Sequence, residues 1–275
     1  MEIYTRPAAD ADKERFIWIE KGATPGLAYV GDVWELFTKS NEGEFSAAFY
    51  NNELGGIGKL TRLYKSYAWL ECLRVHPNYQ GKGLGKAIYE RYMEQMEEMS
   101  LTAAGMYTNY DNIVSRSLAE KFGLTVRARF SEYTKSGFKL PEKAISPLKT
   151  SAGFSLEQTD LAPFIVLNRT FYPVKEGLAK ILAQNNWLYI FDCGIIIMGC
   201  RFQPKKALHI AHMEGDKDKL LDFSYLKAAE IGANTITAMR PYDNEEENEF
   251  LQSRGFVKNN TDYITLWKGL SQYVF

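Results

Sequence analysis

Apolar and polar positions in the first half of the chain follow two alternating patterns. Short apolar runs bounded by turn residues predict β-strands, whereas apolar residues that recur every three or four positions predict α-helices. The clearest helical pattern has apolar residues at Leu84, Ala87, Ile88, Tyr92, Met96 and Met99. Over residues 1–136 the patterns predict strands at 2–6, 45–51, 54–64, 68–75, 103–109 and 124–133, and helices at 10–20, 33–38, 83–99 and 113–122.

The second half resumes this alternation after a stretch that lacks it. Residues 137–153 are rich in Gly, Pro, Lys and Ser, and Pro141 and Pro147 disfavour a regular element, so a linker is predicted there. The linker divides the chain into an N-terminal domain, 1–136, and a C-terminal domain, 154–275. In the latter the pattern predicts strands at 154–158, 187–192, 195–202, 207–213, 235–240 and 263–268, and helices at 175–184, 217–231 and 245–254.

An internal repeat relates the two domains. The run Tyr110-Asp111-Asn112 begins thirteen residues before Gly123, and Tyr242-Asp243-Asn244 begins thirteen residues before Gly255. The same offset of 132 continues without a gap through the preceding helix and aligns Gly83 with Gly215. Because both runs occupy the same place in the same strand–helix–strand pattern, they indicate a duplicated domain.

Composition excludes several functional classes. Hydrophobic residues at 45% and charged residues at 24% are typical of globular proteins, and a net charge of -1 without a basic block argues against a nucleic-acid partner. Three cysteines without a CxxC pair and only three histidines argue against a disulfide framework and against a metal site. The N-terminus lacks a signal-peptide pattern, and the longest apolar run, 194–200, is too short to cross a bilayer. These features predict a cytoplasmic protein with no membrane partner, and they leave the oligomeric state open.

The segment after the strand at 68–75 carries the clearest chemistry. It is a turn with glycines at 81, 83 and 85, and an amphipathic helix follows it. Backbone N–H groups and the partial positive charge at a helix N-terminus favour an anion, and glycines let phosphate oxygens approach those amides. Lys82 and Lys86 add positive charge at the rim. The turn therefore predicts a pyrophosphate site.

Two common phosphate-binding motifs do not fit this turn. A Walker loop requires Ser or Thr after Gly-Lys, but Ala87 follows Gly85-Lys86. A dinucleotide fold requires the turn inside an early parallel strand–helix–strand unit, whereas this turn follows a predicted run of hairpins.

A known family does fit. Val75-x-Pro77 followed by Gln80-x-x-Gly83-x-Gly85 closely resembles motif A of the GCN5-related N-acetyltransferase (GNAT) superfamily. Residues 105–124, with Asn112 eleven residues before Gly123, are similar to the second signature of that family. The resemblance covers roughly residues 1–135. It implies an α/β fold of two tandem GNAT-like domains, each with a mixed, mostly antiparallel sheet flanked by helices.

The resemblance also implies how acetyl-CoA binds, in a cleft between the strand ending at Val75 and the strand ending near Asn109. Backbone groups of Leu73, Arg74 and Val75 would pair with the pantetheine like an added strand. Asn112 would contact the cofactor arm. The pyrophosphate would be held by the turn and the start of the helix, which are Gln80, Gly81, Lys82, Gly83, Leu84, Gly85 and Lys86.

The sequence departs from the family at two catalytic positions. Family members often carry a tyrosine, the general acid to the leaving thiolate, four residues before the helix-ending glycine, and this position is Ala119. An acidic base sometimes found early in the strand before the second signature falls at Tyr107. The resemblance therefore transfers the fold and the cofactor site, and it leaves the catalytic groups open.

Acyl transfer needs a neutral amine as the nucleophile. A lysine-like amine with a pKa of about 10.4 is uncharged roughly once in 2,500 at pH 7, so a base that removes its proton favours the reaction. Glu71, on the strand leading into the cleft, is the first candidate for the base, with a surface carboxylate as the alternative interpretation. Tyr110 could supply a phenol near the thiol, although its repetition as Tyr242 favours a turn role.

The second domain is predicted to be a degenerate copy. Where the first has its phosphate-binding turn, the second has residues 212–218, with one glycine and three carboxylates, which would repel a diphosphate. We therefore predict no coenzyme there.

The sequence thus predicts an enzyme that transfers an acetyl group from acetyl-CoA to a primary amine of a small molecule or peptide, without a metal. A catalytically silent acyl-CoA-binding or sensing module is the alternative from a different class. A succinyl or longer acyl transferase is the third possibility, because no residue pattern defines the acyl pocket.

Overall fold

Strands and helices form where the apolar periodicity places them. The computed structural model describes residues 2–142, 145–148, 156, 159 and 161–270. These residues form two units. The first unit comprises 2–106, 112–126 and 266–270, and the second comprises 107–111 and the described part of 127–265. The strand predicted at 154–158 falls, apart from Leu156, outside the described residues.

The sheet of the first unit is mixed and mostly antiparallel, as predicted. Its strands lie in the order β1-β2-β3-β4-β5, and the last residues of β13 lie beside β5. The pairs β1–β2, β2–β3 and β3–β4 are antiparallel, and the pair β4–β5 is parallel. The elements are β1 (Ile3–Pro7), α1 (Lys13–Ala23), α2 (Val30–Lys39), β2 (Phe45–Tyr50), β3 (Glu53–Tyr64), β4 (Tyr67–Val75), α3 (Leu84–Glu98), β5 (Ala103–Asn109) and α4 (Ile113–Lys121).

Side-chain alternation along β3 distributes the helices over the two faces of this sheet. A Cβ on Gly58 would collide with the hydroxyl of Tyr92, so α3 packs closely on that face. The next residue, Lys59, points to the other face, where its ammonium lies 5.8 Å from the ring centre of Phe37 on α2. The hairpin between β2 and β3 turns at Asn51 and Asn52, both with positive φ, which asparagine tolerates.

The sheet of the second unit follows the same plan. Its strands lie in the order β13-β6-β12-β11-β10-β9, and β11 and β12 are the parallel pair. Its elements are β6 (Thr125–Ser136), α5 (Leu178–Gln184), β9 (Leu188–Phe191), β10 (Gly194–Gly199), β11 (Leu208–Gly215), α6 (Lys217–Glu230), β12 (Thr235–Pro241), α7 (Glu245–Ser253) and β13 (Val257–Lys268). A hydrophobic core cluster of this unit centres on residues of β10 to β12 and α6.

One hairpin of the second unit was not predicted. β7 (Phe164–Leu167) and β8 (Thr170–Pro173) form a separate two-stranded sheet. Their turn residues, Asn168 and Arg169, both adopt positive φ. The Arg169 guanidinium donates two hydrogen bonds to the carboxylate of Glu132, at 2.9 and 2.6 Å. This long-range ion pair fixes the hairpin, and no local sequence pattern reveals it.

The duplication is visible in the element bounds. β5, α4 and β6 recur as β12, α7 and β13 at positions that are each 132 residues later at both ends. The helices α3 and α6 end at the same offset, but the connections before them differ. Eight residues, 76–83, join β4 to α3, whereas Asp216 alone separates β11 from α6. Within the stretch that the offset relates, the two copies therefore differ at the predicted phosphate-binding turn.

The predicted linker packs on the second unit where the structure describes it. The ring of Phe138 stacks on Tyr225 at 5.2 Å, and the N–H of Leu148 donates to the carbonyl of Ile190 at 2.7 Å. The contact-defined units also place 127–136 in the second unit and 266–270 in the first. The domain boundaries 1–136 and 154–275 accordingly stay predictions about independent folding. No helix within the described residues has the length and apolar character needed to span a membrane.

Candidate functional site

The end of β4 is distorted by a β-bulge. Two residues of β4, Cys72 and Leu73, lie opposite the single residue Gly58 of β3, and Cys72 adopts a φ of 56°. A bulge bends a strand and re-aims the residues beyond it. Burial raises the pKa of the Cys72 thiol to about 12, so the thiol is protonated near neutral pH.

β4 extends beyond the residues that pair with β5. The parallel register extends from Tyr67–Ala103 to Trp69–Gly105, but β4 continues to Val75. The three residues predicted to pair with the pantetheine, Leu73, Arg74 and Val75, thus lie beyond the ladder. Leu73 is part of the bulge, and Arg74 and Val75 follow it. The Arg74 guanidinium donates to the hydroxyl of Thr24 on α1 at 3.3 Å and to the carbonyl of Leu73 at 2.9 Å.

Two left-handed glycines shape the turn before α3. Gly81 and Gly83 have φ of +73° and +88°, a region that side chains with a Cβ rarely occupy. No heavy atom of the described residues lies within 4 Å of where a Cβ of Gly81 would be. The side chain of Gln80 folds back and donates to the carbonyl of Val75 at 3.2 Å, which ties the turn to the end of the strand.

The N-terminus of α3 has the properties of an anion site. Gly83 is its N-cap residue and provides no side chain to accept from the first-turn N–H groups. The first turn, which begins Leu84-Gly85-Lys86, contains no acidic residue. Since the first N–H groups of a helix have no partner within the helix, they are available to a bound anion.

Only one of the two predicted lysines is held in place at the turn. The Lys82 ammonium lies 4.9 Å from the ring centre of Tyr50 and 5.1 Å from that of Tyr79, within cation–π distance of both. Lys86 is 68% exposed in its side chain and pairs with Glu90 one turn along α3. Lys82 is therefore oriented at the turn, and the sequence did not reveal its aromatic partners.

Gly85 has a packing function. A Cβ at this position would lie 3.1 Å from Cδ2 of Leu118 on α4, so the missing side chain lets α4 approach α3. Phosphate access, the reason predicted for this glycine, is thus accompanied by a helix-packing reason. Asn112 caps α4, because its side-chain oxygen accepts from the N–H of Ser115 at 3.0 Å. Its predicted contact with the cofactor arm stays a prediction.

Glu71, the candidate base, is a buried carboxylate and not a surface one. Its residue is 8% exposed, and one oxygen accepts a 2.6 Å hydrogen bond from the hydroxyl of Thr61 on β3. The carbonyl of Glu71 accepts from the hydroxyl of Tyr92, at 3.2 Å. Glu71 is thus fixed immediately before the bulge, and no local sequence pattern points to its partner Thr61.

Tyr110 belongs to the second unit and contacts an arginine there. The Arg129 guanidinium lies 4.0 Å from its ring centre and 3.9 Å from that of Tyr242. Both tyrosines also donate backbone hydrogen bonds, Tyr110 to the carbonyl of Asp262 and Tyr242 to that of Arg129. This symmetric arrangement gives the repeated Tyr-Asp-Asn run a structural role. A catalytic role for Tyr110 stays a prediction.

The two departures from the family pattern have structural explanations. Ala119 is fully buried in α4, and its counterpart Leu251 in α7 is fully buried as well. Position 119 is therefore a core position in this fold, and an alanine fits it. The ring of Tyr107 lies 5.8 Å from that of Tyr263 and 6.3 Å from that of Phe171 in the second unit.

The prediction of an acidic turn in the second copy is wrong in its geometry. His212, Met213 and Glu214 lie within β11, and no turn equivalent to 76–83 exists. Asp216 is the N-cap of α6, and its side chain accepts from the N–H of Lys219 at 3.2 Å. The N-terminus of α6 is thus capped by its own carboxylate.

An arginine fills the space where β11 and β12 stop pairing. Their register ends at Ile210–Ala238. Beyond it, the guanidinium of Arg240, which is 3% exposed, donates to the carbonyls of Ile210 and Ala211 at 3.0 and 3.1 Å. Its Nε donates to Glu247 at 2.7 Å. Burial alone would raise the pKa of Glu247, but Arg240 and Lys217 hold it below its usual value.

Among the described residues, no group of three or more His, Cys, Asp or Glu side chains could hold a metal ion. The histidines do not form such a group. His209 is partly buried beside Thr237, and desolvation lowers its pKa to about 4. His76 follows β4, and burial together with Arg15 lowers its pKa.

Comparisons with known proteins agree with this geometry. The sequence pattern of the Acetyltransferase (GNAT) family matches residues 11–124, and no curated protein sequence matches the chain. A putative acetyltransferase from Pyrococcus horikoshii has 16% identity and a TM-score of 0.61, covering 98% of this chain and 90% of its own. A GCN5-related N-acetyltransferase from Sphaerobacter thermophilus has 13% identity and a TM-score of 0.65, covering 97% and 95%.

A tandem GNAT protein from the clavulanic acid biosynthesis pathway is also similar over its whole length. It has 13% identity and a TM-score of 0.60, and the match covers 98% of this chain and 100% of that protein. At such identities the likeness describes the fold. It extends across both units, whereas the residues matched by the family sequence pattern belong to the first unit except for 107–111.

Proposed function

We propose that the chain is a tandem-domain member of the GNAT superfamily, and that it is an N-acyltransferase that moves the acetyl group of acetyl-CoA to a primary amine. The coenzyme binds to the first unit, at the end of β4 and the N-terminus of α3. The residues proposed to hold it are those implied by the family resemblance, from Leu73 to Lys86, together with Asn112.

One observation carries this proposal, namely the open N-terminus of α3. Gly83 leaves the first-turn amides without a side-chain cap, Gly81 leaves open space beside them, and Lys82 is held at the turn by Tyr50 and Tyr79. Donors fixed before the ligand arrives bind a diphosphate with little loss of conformational entropy.

In the reaction, acetyl-CoA supplies an activated thioester carbonyl. The amine nitrogen attacks the carbonyl carbon, the carbon–sulfur bond breaks, and the amine loses a proton. Glu71 is proposed to accept this proton, directly or through water, since its carboxylate is fixed by Thr61. The leaving thiolate takes a proton from solvent. With a thiol pKa of about 8.5, the thiolate leaves without a strong acid.

A silent acyl-CoA-binding module is the second candidate, and the buried Ala119 favours it. A core alanine at this position cannot provide the phenol that family members often place there. The two candidates agree on coenzyme binding and differ only in turnover.

The test is thiol release when acetyl-CoA is mixed with the protein and a panel of primary amines that includes small polyamines, amino acids and peptides. A second arm uses Glu71→Gln, which keeps the shape of the side chain and an acceptor for Thr61. We expect the variant to lose at least a hundredfold in kcat near pH 7, with an unchanged dissociation constant for coenzyme A.

Thiol release above the uncatalysed rate with any amine supports the enzyme. Coenzyme binding without release over the whole panel supports the silent module. A Glu71→Gln variant with full turnover would remove Glu71 from the mechanism while leaving the activity in place.

A further inference from the structure

A stack of three side chains joins α1 to the segment that leaves β4. The indole of Trp18 and the imidazole of His76 lie nearly parallel, with ring centres 3.5 Å apart and an angle of 11° between the planes. The Arg15 guanidinium lies 3.7 Å from the ring centre of the same indole. Arg15, Trp18 and His76 are called the α1 stack below.

The position of His76 in the α1 stack is fixed from several sides. A Cβ on Gly22, one turn after Trp18 on α1, would collide with the imidazole ring. The backbone N–H of His76 donates to the carbonyl of Gly55 at 2.9 Å. The imidazole Nδ1 accepts from the N–H of Asn78 at 3.3 Å. The absence of a side chain at Gly22 is therefore what lets the ring pack against the helix.

The α1 stack also reaches the diphosphate turn. Arg15 donates from Nη2 to the hydroxyl of Tyr79 at 3.1 Å and from Nε to the carbonyl of Leu54 at 2.8 Å. The ring of Tyr79 covers Gly55, where a Cβ would collide with it. The ammonium of Lys82 lies 5.1 Å from the centre of the same ring. A continuous series of contacts thus leads from α1 through Tyr79 to the cation at the turn.

We propose that Arg15, Trp18 and His76 are positioning residues that hold residues 76–82 in the conformation that binds the coenzyme diphosphate. This inference rests on the proposed function. Eight residues separate β4 from α3, and a connection of this length samples many conformations unless side chains restrict it. The α1 stack restricts it before the coenzyme binds, so less conformational freedom is lost on binding.

The location of the α1 stack favours this role over a role in the core. Arg15, Trp18 and His76 are all partly exposed, whereas the neighbouring α1 residues Phe16 and Ile19 are fully buried. Removing a partly exposed ring costs the fold less than removing a core ring. An effect on coenzyme affinity can therefore be separated from an effect on folding.

The sharpest test is a pair of glycine substitutions. Gly22→Ala favours the helical conformation of α1 but pushes the His76 ring away, whereas Gly31→Ala on α2 brings a Cβ only to 3.4 Å from Ile17. Coenzyme A is titrated into each purified full-length variant by calorimetry, and folding is followed by thermal unfolding. We expect Gly22→Ala to raise the dissociation constant at least fivefold, and Gly31→Ala to leave it unchanged.

A second pair tests the stacking itself. Trp18→Ala should raise the dissociation constant for coenzyme A about tenfold, and Trp18→Phe, which keeps an aromatic face, should restore it to within about threefold of the wild type. The KM for acetyl-CoA should rise in parallel, while kcat at saturating acetyl-CoA changes less than twofold. Ile17→Ala, on the same helix but in contact with α2, is the control.

Folded Gly22→Ala and Trp18→Ala variants that bind coenzyme A as tightly as the wild type would overturn the proposal. A fall in kcat with unchanged affinity would overturn it as well, because the stack would then act on the chemical step. Failure of the wild-type protein to bind coenzyme A is a separate result that overturns the proposed function itself.

Discussion

The two copies of the fold present the N-termini of equivalent helices in opposite ways. α3 begins after eight connecting residues and is capped by Gly83, which provides no acceptor. α6 begins after Asp216 alone, and the carboxylate of Asp216 accepts from the helix and pairs with Lys219 at 2.7 Å. One N-terminus is open to an external anion, and the other has an internal one. The duplicated scaffold thus keeps its equivalent helices and strands while one connection changes which groups face the helix N-terminus.

A second difference lies where the parallel strands separate. In the second copy Arg240 occupies this space, and Glu247 on α7 neutralises it. At the equivalent positions, 132 residues earlier, the first copy has Thr108 and Ser115. In the second copy a buried ion pair therefore occupies the space where the parallel strands separate. In the first copy the equivalent positions have smaller side chains. We propose that Arg240, more than repulsion by acidic residues, prevents coenzyme binding in the second copy.

The largest expected effect comes from breaking this ion pair. Arg240→Thr leaves the Glu247 carboxylate buried with Lys217 as its remaining partner, and should destabilise the protein by about 3–5 kcal/mol. The double variant Arg240→Thr/Glu247→Ser, which installs the residues of the first copy, should lose less because no charge stays buried without a partner. Urea unfolding at pH 7 measures both.

The same pair has a defined pH dependence. Because the folded protein holds the pKa of Glu247 below its usual value, its stabilisation is present above the unfolded pKa of about 4.3 and is lost as the pH falls through the folded pKa. The difference in stability between wild type and the double variant should therefore shrink in acid. A difference that is constant between pH 7 and pH 3 would contradict this account.

The next largest effect is expected from a substitution that gives the N-terminus of α3 a carboxylate cap like that of α6. Gly83→Asp copies the cap of α6, and aspartate tolerates the left-handed conformation better than most residues. Its carboxylate would accept from the α3 amides and repel the diphosphate. We expect the dissociation constant for coenzyme A to rise tenfold or more, about 1.4 kcal/mol.

Gly83→Asn is the matched control, since it has the same shape, a similar tolerance of positive φ and no charge. A smaller effect of asparagine than of aspartate identifies the charge as the cause. Equal losses would indicate that any side chain at position 83 blocks the site, for example through Ile3, whose Cδ1 would lie 3.1 Å from the new Cβ.

The smallest effect is expected from removing the carboxylate cap of α6. Asp216→Ala removes the cap of α6 and should cost about 1 kcal/mol of stability. It should not create a second coenzyme site, because the connection is still one residue long and Arg240 still fills the opening. Calorimetry should give one coenzyme A per chain before and after the substitution. A stoichiometry of two in the wild type would refute the assignment of the second copy.

Much of the fold was predictable from local pattern. The strand Ala103–Asn109 and the starts of α4, α6 and α7 were predicted to the residue, because strong apolar periodicity and Asn or Asp caps define them. The first half of β13 was missed. Its residues 257–262 are largely polar and pair with polar residues of β6, as in the bond from the Thr134 hydroxyl to Asn259 at 3.3 Å. Such pairing depends on residues more than a hundred positions away.

The candidate site was only partly predictable for a similar reason. Glycine spacing revealed the turn, since glycine marks positions that need positive φ or a close approach of the backbone. The spacing could not separate these two needs, and the structure assigns positive φ to Gly81 and Gly83 but close helix packing to Gly85. The contacts of Trp18, Arg15 and Tyr50 with the turn residues leave no trace in local sequence.

The sequence by itself determined most of the order of strands and helices, although not the β7–β8 hairpin, together with the duplication at its offset of 132 and the location of the glycine turn. Each of these depends on residues close together in the chain, or on the comparison of one segment with another. The tertiary structure alone decided that Glu71 is buried against Thr61, that Ala119 is a core residue, and that Arg240 fills the space where β11 and β12 stop pairing. Burial and pairing of these side chains depend on segments that meet only in the folded chain, so no local pattern encodes them.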